Sequence, residues 1–492
     1  NTRLRQWLEE AGVWVSEASD WGRQSSPVAM AIETREQGEN EISGRGLVAR
    51  RNINLYEEIC RVPLSLLLTK RSAQDTFGEE NVPDFVGEYG AIAMHLIHET
   101  FVKGEESFWE PYIAVLPDVE EIGSSFAWED EELDMLLNGS NLLFQSKFLK
   151  NKIQGEFKQL QDEVFAKDPG QFPAEAFSEE NYIWAYSVLF SRAVRLDFGK
   201  KEGLDSPGDI VALVPYVDLI NHNPSSDTYI TGYVDGVQLP FGMTTTQADV
   251  VVSADRYYGE YEQIYISYGD KSNSQLLLLY GFSMERNPKN FAEVSLGHLM
   301  DDSPLAEEKR KVLRMRGITD EVFPLYRDRY TTEMIAYLRL MVLKEEDIIL
   351  TGDETYEQAL YNMEIFRAFG EISERRAMIC LKGICEELLA GYPTTLEQDE
   401  AIITDRGMFE LLPKNQRNAL RVRYGEKLIL RGTITTVDRV LNNLGKLSDV
   451  QREDQKRYRK NMQTMWGRLG FDFDNPAIKA SNLEELMKEL DI

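Results

Sequence analysis

The chain has 492 residues and a formal net charge of −29 at neutral pH, with 83 Asp and Glu against 54 Lys and Arg. Its 42% hydrophobic and 28% charged residues are an ordinary globular composition, which excludes wholesale disorder and predicts two or three domains. The negative charge argues against a nucleic-acid binder and against binding to anionic membranes, because the surface would repel both. It would attract a basic protein segment; solubility alone is the alternative explanation.

The cysteines are Cys60, Cys380 and Cys385, too few for a disulfide framework or a four-thiolate zinc site in so long a chain. We therefore expect buried thiols, a reducing compartment and no metal. No apolar run approaches the ~20 residues of a membrane span, and the start shows no signal-peptide pattern. The chain begins at Asn1 without a Met, so we expect a processed or trimmed form.

Apolar spacing predicts the elements of the first part of the chain. Residues 3–13 have the pattern of a short amphipathic helix. From about residue 72 to 196, apolar residues recur at intervals of three and four, which predicts helices, and Ser178 is a candidate helix N-cap. Strand-like alternation precedes this segment at residues 28–32, 46–50 and 58–63.

Short strands return from residue 211 to about 282, split by polar turns, and this block includes the apolar run at 276–280. After Asn287-Pro288, long helical periods predict a helical region to the end. Because the two strand blocks are too short to be separate domains, we expect an α+β chain in which one β-rich domain carries a helical insertion. The expected parts are an N-terminal helix (1–24), the β-rich domain (25–285, insertion about 72–196) and an all-α domain (300–480).

The first motif with possible chemistry is Gly44-Arg45-Gly46-Leu47-Val48-Ala49. A G-x-G-x-x-A sequence binds dinucleotides when a helix follows it and an acid lies ~20 residues on. Here the residues that follow are strand-like, and Pro63-Leu64-Ser65-Leu66 contains no acid. The two glycines instead predict close backbone approach, either to another strand or to a ligand.

The second motif is an apolar stretch that ends in Asn221-His222, with Asp218 three residues before the Asn. Taken alone, it is typical of a strand that ends in a turn, with Asn221 bonding its own backbone. A metal role for His222 is disfavoured because no Cys or second His lies near it in the sequence.

The third motif places Tyr268 at the end of a strand, followed by a polar turn and then Tyr280-Gly281-Phe282. Buried tyrosines with satisfied hydroxyls are the ordinary alternative explanation. Together, however, the three motifs resemble the SET-domain methyltransferases, in which knot-like threading brings the Asn-His segment beside the catalytic Tyr.

The resemblance narrows to Rubisco large-subunit methyltransferases and their relatives. Residues 108–117 (FWEPYIAVLP) resemble the W-x-x-Y-x-x-x-L-P of the insertion in that group. Further similar segments, in the order of the family, are residues 128–133, 191–194, 218–222 and 392–399. The C-terminal helical region would then be a substrate-binding domain.

This resemblance implies S-adenosylmethionine as cofactor, S-adenosylhomocysteine as product, and no metal. Ser43, Gly44 and Arg45 match the loop whose backbone holds the cofactor, although many relatives have Glu at the position of Ser43. The guanidinium of Arg192 would reach the cofactor carboxylate. The implied cofactor-binding residues are Ser43, Gly44, Arg45, Arg192, Asn221, His222 and Tyr268.

Tyr268 matches the catalytic Tyr of the family. A neutral lysine amine attacks the sulfonium methyl in line, so catalysis requires mainly alignment and electrostatics. An apolar channel beside a cation lowers the amine pKa from its free value of ~10.4. Where Val194 stands, most lysine-directed members have Phe, a change that would widen the channel. The implied substrate-binding residues are Arg192, Arg195, Asp218, Tyr233, Tyr268 and Tyr280.

The sequence thus predicts a SAM-dependent protein-lysine N-methyltransferase acting on a protein such as the Rubisco large subunit or chloroplast aldolase. One branch of the wider family methylates actin histidine and has Trp directly before the Asp of the motif; Val217 stands there and favours lysine. The alternatives are a catalytically silent SET-fold module that binds a partner, and a protein-histidine methyltransferase. We expect a monomer that binds neither nucleic acid nor membrane; the resemblance favours the chloroplast stroma, with cytoplasm or nucleus as alternatives.

Overall fold

The structure is a computed structural model of the chain. It describes residues 2–15, 25–35, 42–199, 206–238, 244–301, 303–348, 350, 353, 355–363, 365–366 and 371–468. The side chain of Ser43 lies outside the described part, so the expectation for that side chain has no structural counterpart.

The strands lie in two blocks of the chain, with a short pair further on. They are β1 Val28–Arg35, β2 Ile42–Ala49, β3 Glu58–Pro63, β4 Leu68–Thr69, β5 Val194–Asp197, β6 Asp209–Leu213, β7 Asn221–His222, β8 Tyr229–Gln238, β9 Thr244–Ser253, β10 Tyr265–Ile266, β11 Phe291–Ser295 and β12 Val322–Tyr326.

Helices occupy the insertion between β4 and β5 and most of the chain after β10. They are α1 Thr2–Glu10, α2 Lys70–Phe77, α3 Gly87–Ile97, α4 Glu110–Ile113, α5 Val119–Ile122, α6 Asp130–Leu136, α7 Asn141–Glu163, α8 Glu179–Arg192, α9 Asn273–Tyr280, α10 Gly297–Asp301, α11 Ala306–Met315, α12 Thr332–Met341, α13 Tyr356–Asn362, α14 Glu371–Gly391, α15 Leu396–Thr404, α16 Arg406–Leu411 and α17 Lys414–Arg468. A π-helical turn covers His98–Lys103, and 3₁₀ turns cover Leu64–Leu66, Glu79–Asn81, Asp84–Val86, Gly104–Glu106, Ser125–Ala127, Phe165–Lys167, Val217–Leu219 and Glu345–Asp347.

The strands form several small sheets rather than one large one. β1 and β2 pair antiparallel, and the two three-stranded sheets have the orders β3-β9-β8 and β4-β6-β5. β7 and β10 pair parallel, with Tyr265 opposite Asn221 and Ile266 opposite His222. These two-residue strands come from segments that are distant in the sequence. The mixture of helices and small sheets confirms the expected α+β fold.

The chain divides into two compact units. Unit 1 comprises Asn1–Ala292 and Leu389–Leu428, and unit 2 comprises Glu293–Leu388 and Ile429–Ile492. The core of unit 1 joins the strand blocks to the insertion, as Leu47, Ile92, Leu189 and Val252 are all fully buried within it. The helical insertion is therefore an integral part of this unit.

Local sequence explains the helix that carries Arg192. Ser178 is its N-cap, and the hydroxyl accepts from the backbone N–H of Asn181 at 3.2 Å, as predicted. Buried residues such as Tyr182 and Leu189 cover one side of α8, which ends at Arg192. The helix therefore places Arg192 two residues before the start of β5.

Two local predictions differ from the structure. The apolar run at 276–280, expected among strands, lies in helix α9, because Ser272 and Gln275 form a capping box at its start. The C-terminal region is helical as expected but also contains β11 and β12, which pair with each other. Ala292 and Val294 are buried and their neighbours more exposed, a two-residue alternation that helical periods on either side obscured.

Part of the C-terminal region completes unit 1. Trp128 and Leu133 of the insertion share a buried cluster with Leu277 and with Ala419 and Val422 of α17. On the same helix, the Glu426 carboxylate accepts hydrogen bonds from three hydroxyls of unit 1 that are distant in the sequence. They belong to Ser140 (3.0 Å), Ser274 (2.8 Å) and Tyr392 (2.8 Å).

Candidate active site

The first part of the candidate site is the glycine loop on β2, residues 44–46. Gly44 has φ +75°, and an added Cβ at Gly46 would lie 2.9 Å from Nδ2 of Asn221. That amide donates to the carbonyl of Arg45 at 3.1 Å and to Oγ1 of Thr34 at 3.0 Å. The glycines therefore permit the predicted close backbone approach, here to β1 and to the Asn-His segment.

The second part of the candidate site is the pair of parallel strands β7 and β10. The backbone N–H of Tyr268 donates to Nδ1 of His222 at 3.0 Å, and the N–H of Asn223 donates to the carbonyl of Ile266 at 2.9 Å. Burial lowers the pKa of His222 to about 4. The imidazole is therefore neutral at pH 7 and available as an acceptor at Nδ1.

The Tyr268 ring lies in a short aromatic stack. It packs on His222 with centroids 4.9 Å apart and on Tyr280 with centroids 4.7 Å apart. Its hydroxyl donates to the carbonyl of Ile220 at 3.0 Å. Burial, outweighing the nearby Arg192, raises the pKa of Tyr268 well above its ordinary value, so the phenol stays protonated at neutral pH.

A buried ion pair lies near Tyr268. Arg192 Nη1 donates to both Oδ2 and the backbone carbonyl of Asp218, each at 3.1 Å. The hydroxyl of Tyr112 donates to the same Oδ2 at 2.9 Å. The Asp218 side chain is 0% exposed, and although burial opposes the charge on Arg192, this carboxylate raises the pKa of Arg192.

Two atoms of this pair have no hydrogen-bond partner among the described residues. They are Nε of Arg192 and Oδ1 of Asp218, and both are buried. Buried polar atoms are seldom left unpaired, because desolvation without a hydrogen bond costs about 1–3 kcal/mol for each group. A free donor on a cation beside a free acceptor on an anion suits a ligand that carries both an anionic and a cationic group.

The structure brings together most of the predicted site residues. They are Gly44, Arg45, Arg192, Asp218, Asn221, His222, Tyr268 and Tyr280. Arg195 lies outside this cluster: its side chain is 61% exposed on β5 and pairs with Asp209 at 3.0 Å. Tyr233, on β8, is 43% exposed, lies under the Arg61 guanidinium and donates to Asp235 at 3.3 Å.

Sequence reasoning missed three contributors. Thr34 joins the glycine loop to Asn221, the Ile220 carbonyl receives the Tyr268 hydroxyl, and Tyr112 holds Asp218. Of the three, only Tyr112 belongs to a recognisable sequence motif, as the Tyr of the W-x-x-Y segment in the insertion. Thr34 and Ile220 carry no chemistry-specific pattern, because one acts through an ordinary hydroxyl and the other through its backbone.

Comparisons with known proteins show what the chain is similar to. Residues 301–430 match the family described as Rubisco LSMT substrate-binding. The chain is 29% identical over 400 residues to the chloroplastic fructose-bisphosphate aldolase-lysine N-methyltransferase of Arabidopsis thaliana, covering 79% of this chain and 76% of the relative. It is 27% identical over 435 residues to the chloroplastic Rubisco large-subunit N-methyltransferase of Pisum sativum, covering 87% and 79%.

A solved structure of the SET domain of LSMT bound to lysine and AdoHcy superposes with a TM-score of 0.70 at 22% identity, covering 100% of this chain and 98% of that chain. The chain is therefore similar to the Rubisco LSMT-like SET-domain methyltransferases. Its wider relatives include the actin-histidine N-methyltransferase of Homo sapiens, 27% identical over 420 residues, with 82% of this chain and 65% of the relative covered.

The described residues contain no group of three or more His, Cys, Asp or Glu placed to hold a metal ion. Within the same residues, no helix is both long and apolar enough to cross a membrane. The cysteines are free, and burial raises the pKa of the Cys60 and Cys385 thiols to about 12.

Proposed function

We propose that the protein transfers a methyl group from S-adenosylmethionine to the ε-amine of a lysine in a protein substrate. The observation that carries this proposal is the position of Tyr268: its buried hydroxyl lies on the Ile220 carbonyl, its ring stacks on Tyr280, and Arg192 and Asp218 lie close enough to influence its pKa. Aromatic walls suit the methylene chain of a lysine, and the oxygens at the end suit its amine.

The unpartnered atoms support the choice of cofactor. The methionine end of S-adenosylmethionine is a zwitterion, which matches the free Nε of Arg192 and the free Oδ1 of Asp218. The backbone around Gly44, with Asn221 and His222, would hold the rest of the molecule. When bound, this cofactor supplies a methyl group on a positively charged sulfur.

Tyr268 orients the amine rather than removing its proton. Because its pKa is raised well above the ordinary value, the phenol is a neutral donor and acceptor at pH 7 and a poor general base. The site instead favours the uncharged amine by burial, since a desolvated ammonium beside a cation loses its proton more easily. An uncharged amine held there would have its lone pair free to accept the methyl group that the cofactor supplies.

Lysine is favoured over histidine by the small side chain before Asp218. Val217 is fully buried in the core of unit 1. The branch of the wider family that methylates actin histidine has Trp at this position. Histidine methylation remains the second candidate, because the human actin-histidine enzyme is matched over much of this chain. The two activities differ in the modified residue, which mass spectrometry identifies directly.

For the substrate, we propose a protein with a lysine in a basic segment, of the kind that the Arabidopsis and Pisum relatives are named for: chloroplast aldolase or the Rubisco large subunit. The net charge of −29 supports such a partner, and the region from residue 301 that matches the substrate-binding family would contact it. The chloroplast stroma is the compartment that fits these substrates.

The test is methyl transfer from tritiated S-adenosylmethionine to purified aldolase, Rubisco and actin, each expressed in bacteria so that the target residues are unmodified. Tyr268→Phe protein is the matched control. We expect labelled lysine in aldolase or Rubisco, lost with the variant. Labelled histidine in actin would replace the lysine proposal, and no label in any protein despite cofactor binding would favour a silent binding module.

A further inference from the structure

Besides Arg192 itself, the helical insertion contributes a tyrosine to the buried ion pair. Tyr112 on α4 is 1% exposed, and its hydroxyl donates to Oδ2 of Asp218 at 2.9 Å. Trp109, the N-cap of this short helix, donates its indole N–H to the carbonyl of Leu66 at 2.9 Å. Tyr112 is therefore held by a helix whose start has an anchor outside the ion pair.

The hydrogen bonds around Asp218 are asymmetric. Oδ2 accepts from Tyr112 and from Nη1 of Arg192, while Oδ1 has no partner. Guanidinium and carboxylate groups ordinarily prefer two parallel hydrogen bonds, which use both carboxylate oxygens and two guanidinium nitrogens. Here Arg192 uses Nη1 alone toward the carboxylate and leaves Nε free. The Tyr112 hydroxyl holds Oδ2 in place. Without that hydrogen bond, the carboxylate could rotate so that Oδ1 accepts from Nε of Arg192, and both unpartnered atoms would then be paired with each other.

We propose that Tyr112 is a positioning residue that keeps the Arg192–Asp218 pair open, so that Oδ1 of Asp218 is presented to a cationic amine. This inference rests on the proposed function, since that function supplies the amines. Two sources share the chemistry: the α-ammonium of S-adenosylmethionine and the ε-ammonium of the target lysine before it loses its proton. Burial, together with the neighbouring Asp218, raises the pKa of Tyr112 well above its ordinary value, so the hydroxyl stays a donor throughout the working range.

The test is a double-mutant cycle of Tyr112→Phe and Asp218→Asn in the full chain, with calorimetric Kd values for S-adenosylmethionine and kcat/KM for whichever protein the wild type methylates. A neutral amide at position 218 does not attract an ammonium, so the position of that side chain then ceases to matter. We expect Tyr112→Phe to weaken cofactor binding or kcat/KM about ten-fold in the wild-type background, and less than about two-fold in the Asp218→Asn background.

The two readouts separate the sources of the amine. A change confined to the cofactor Kd assigns the amine to S-adenosylmethionine, and a change confined to kcat/KM assigns it to the protein lysine. If the wild type methylates none of the proteins offered, the proposed function fails, while the cofactor Kd values still report on Tyr112 in their own right.

Tyr182→Phe is the matched control. Tyr182 is a fully buried tyrosine of α8 whose hydroxyl donates to the Glu156 carboxylate at 2.7 Å, so the variant loses a hydrogen bond of the same kind elsewhere in the insertion. It should lower the melting temperature as Tyr112→Phe does and leave both functional readouts unchanged. Equal losses from Tyr112→Phe with and without Asp218→Asn, or no loss beyond that of Tyr182→Phe, would overturn the positioning role.

Discussion

Tyr268 and His222 are joined twice, through a backbone-to-ring hydrogen bond and through their stacked rings. The N–H of Tyr268 donates to Nδ1 of His222 at 3.0 Å, and the rings lie 27° from parallel with centroids 4.9 Å apart. A protonated imidazole has no acceptor, so the hydrogen bond exists only while His222 is neutral. The position of the candidate catalytic residue therefore depends on the charge state of its neighbour.

A pH dependence of stability follows from this pair. Burial lowers the pKa of His222 to about 4, against ~6.5 in the unfolded chain, so the unfolded state binds the proton first as the pH falls. The contribution of neutral His222 is complete above pH ~6.5 and is lost toward pH 4, by about 3 kcal/mol at most. Urea unfolding of wild type and His222→Gln across this range measures it. The stability difference between them should shrink on acidification, and a constant difference would contradict the assignment.

Tyr268→Phe should separate binding from turnover. The variant keeps the ring stack with His222 and Tyr280 and loses only the hydroxyl on the Ile220 carbonyl. We expect the cofactor Kd to stay within about three-fold and kcat to fall about 10²–10³-fold, the usual loss for a single oriented polar group at a reaction centre. Calorimetry and methyl-transfer rates measure the two quantities.

The control for that variant is Tyr337→Phe in unit 2. Tyr337 is also buried, and its hydroxyl reaches the backbone carbonyl of Leu296 at 3.5 Å. Its removal should leave both kcat and the cofactor Kd unchanged. Full activity of Tyr268→Phe would remove this hydroxyl from the reaction.

Gly46→Ala should disturb the site by steric contact. The new Cβ would lie 2.9 Å from both Nδ2 of Asn221 and Cγ2 of Thr34, distances that real Cβ atoms do not tolerate without movement. We expect a loss of about 1–3 kcal/mol in stability and weaker cofactor binding, because the amide that bridges β1 and the glycine loop must shift. Thermal melting and calorimetry measure the two effects.

Gly155→Ala is the matched control, for which we expect a gain in stability instead of a loss. Gly155 is an exposed residue within α7, and an added Cβ there meets nothing within 4 Å. The substitution should raise stability by up to about 1 kcal/mol, since Gly is a poor helix former, and should leave cofactor binding unchanged. An equal loss for both variants would indicate that glycine replacement as such is harmful in this chain.

Breaking the Lys427–Asp399 pair should destabilise unit 1 strongly. Both side chains are 1% exposed and their charged atoms lie 2.7 Å apart. Asp399→Leu leaves a buried ammonium uncompensated, which costs about 3–5 kcal/mol. Adding Lys427→Met should recover part of that loss, since neither of these two positions then carries a buried charge; denaturant midpoints measure this. The exposed pair Lys289–Asp270 offers the contrast, and Asp270→Ala should cost less than about 1 kcal/mol.

Much of the fold was predictable from local patterns. The strands at β1, β2 and β3, the Ser178 cap and the helices α12 and α17 follow from apolar periodicity and capping chemistry. Helix α9 was missed because its short apolar run has no helical period, although Ser272-x-x-Gln275 carried the capping signal.

The assembly of the site was not predictable from spacing. Nothing local indicates that Asn221 lies opposite Tyr265 in a parallel pair, because such pairing depends on the path of the whole chain; the resemblance to a family supplied it. The exposure of Arg195 and the hydrogen bond from Tyr112 to Asp218 depend on packing between distant elements. Side chains that act through such contacts have no periodic signature.

Glu426 has a consequence for how such proteins diverge. Its carboxylate accepts from Ser140 and Ser274, so a residue within the segment that matches the substrate-binding family is also a structural acceptor of the catalytic unit. Recombination that exchanged this segment between relatives would leave the two serine hydroxyls without an acceptor, unless the incoming helix carried an acidic residue at the same place. New substrate preferences are therefore more accessible through substitutions at other positions in the region than through exchange of the whole segment.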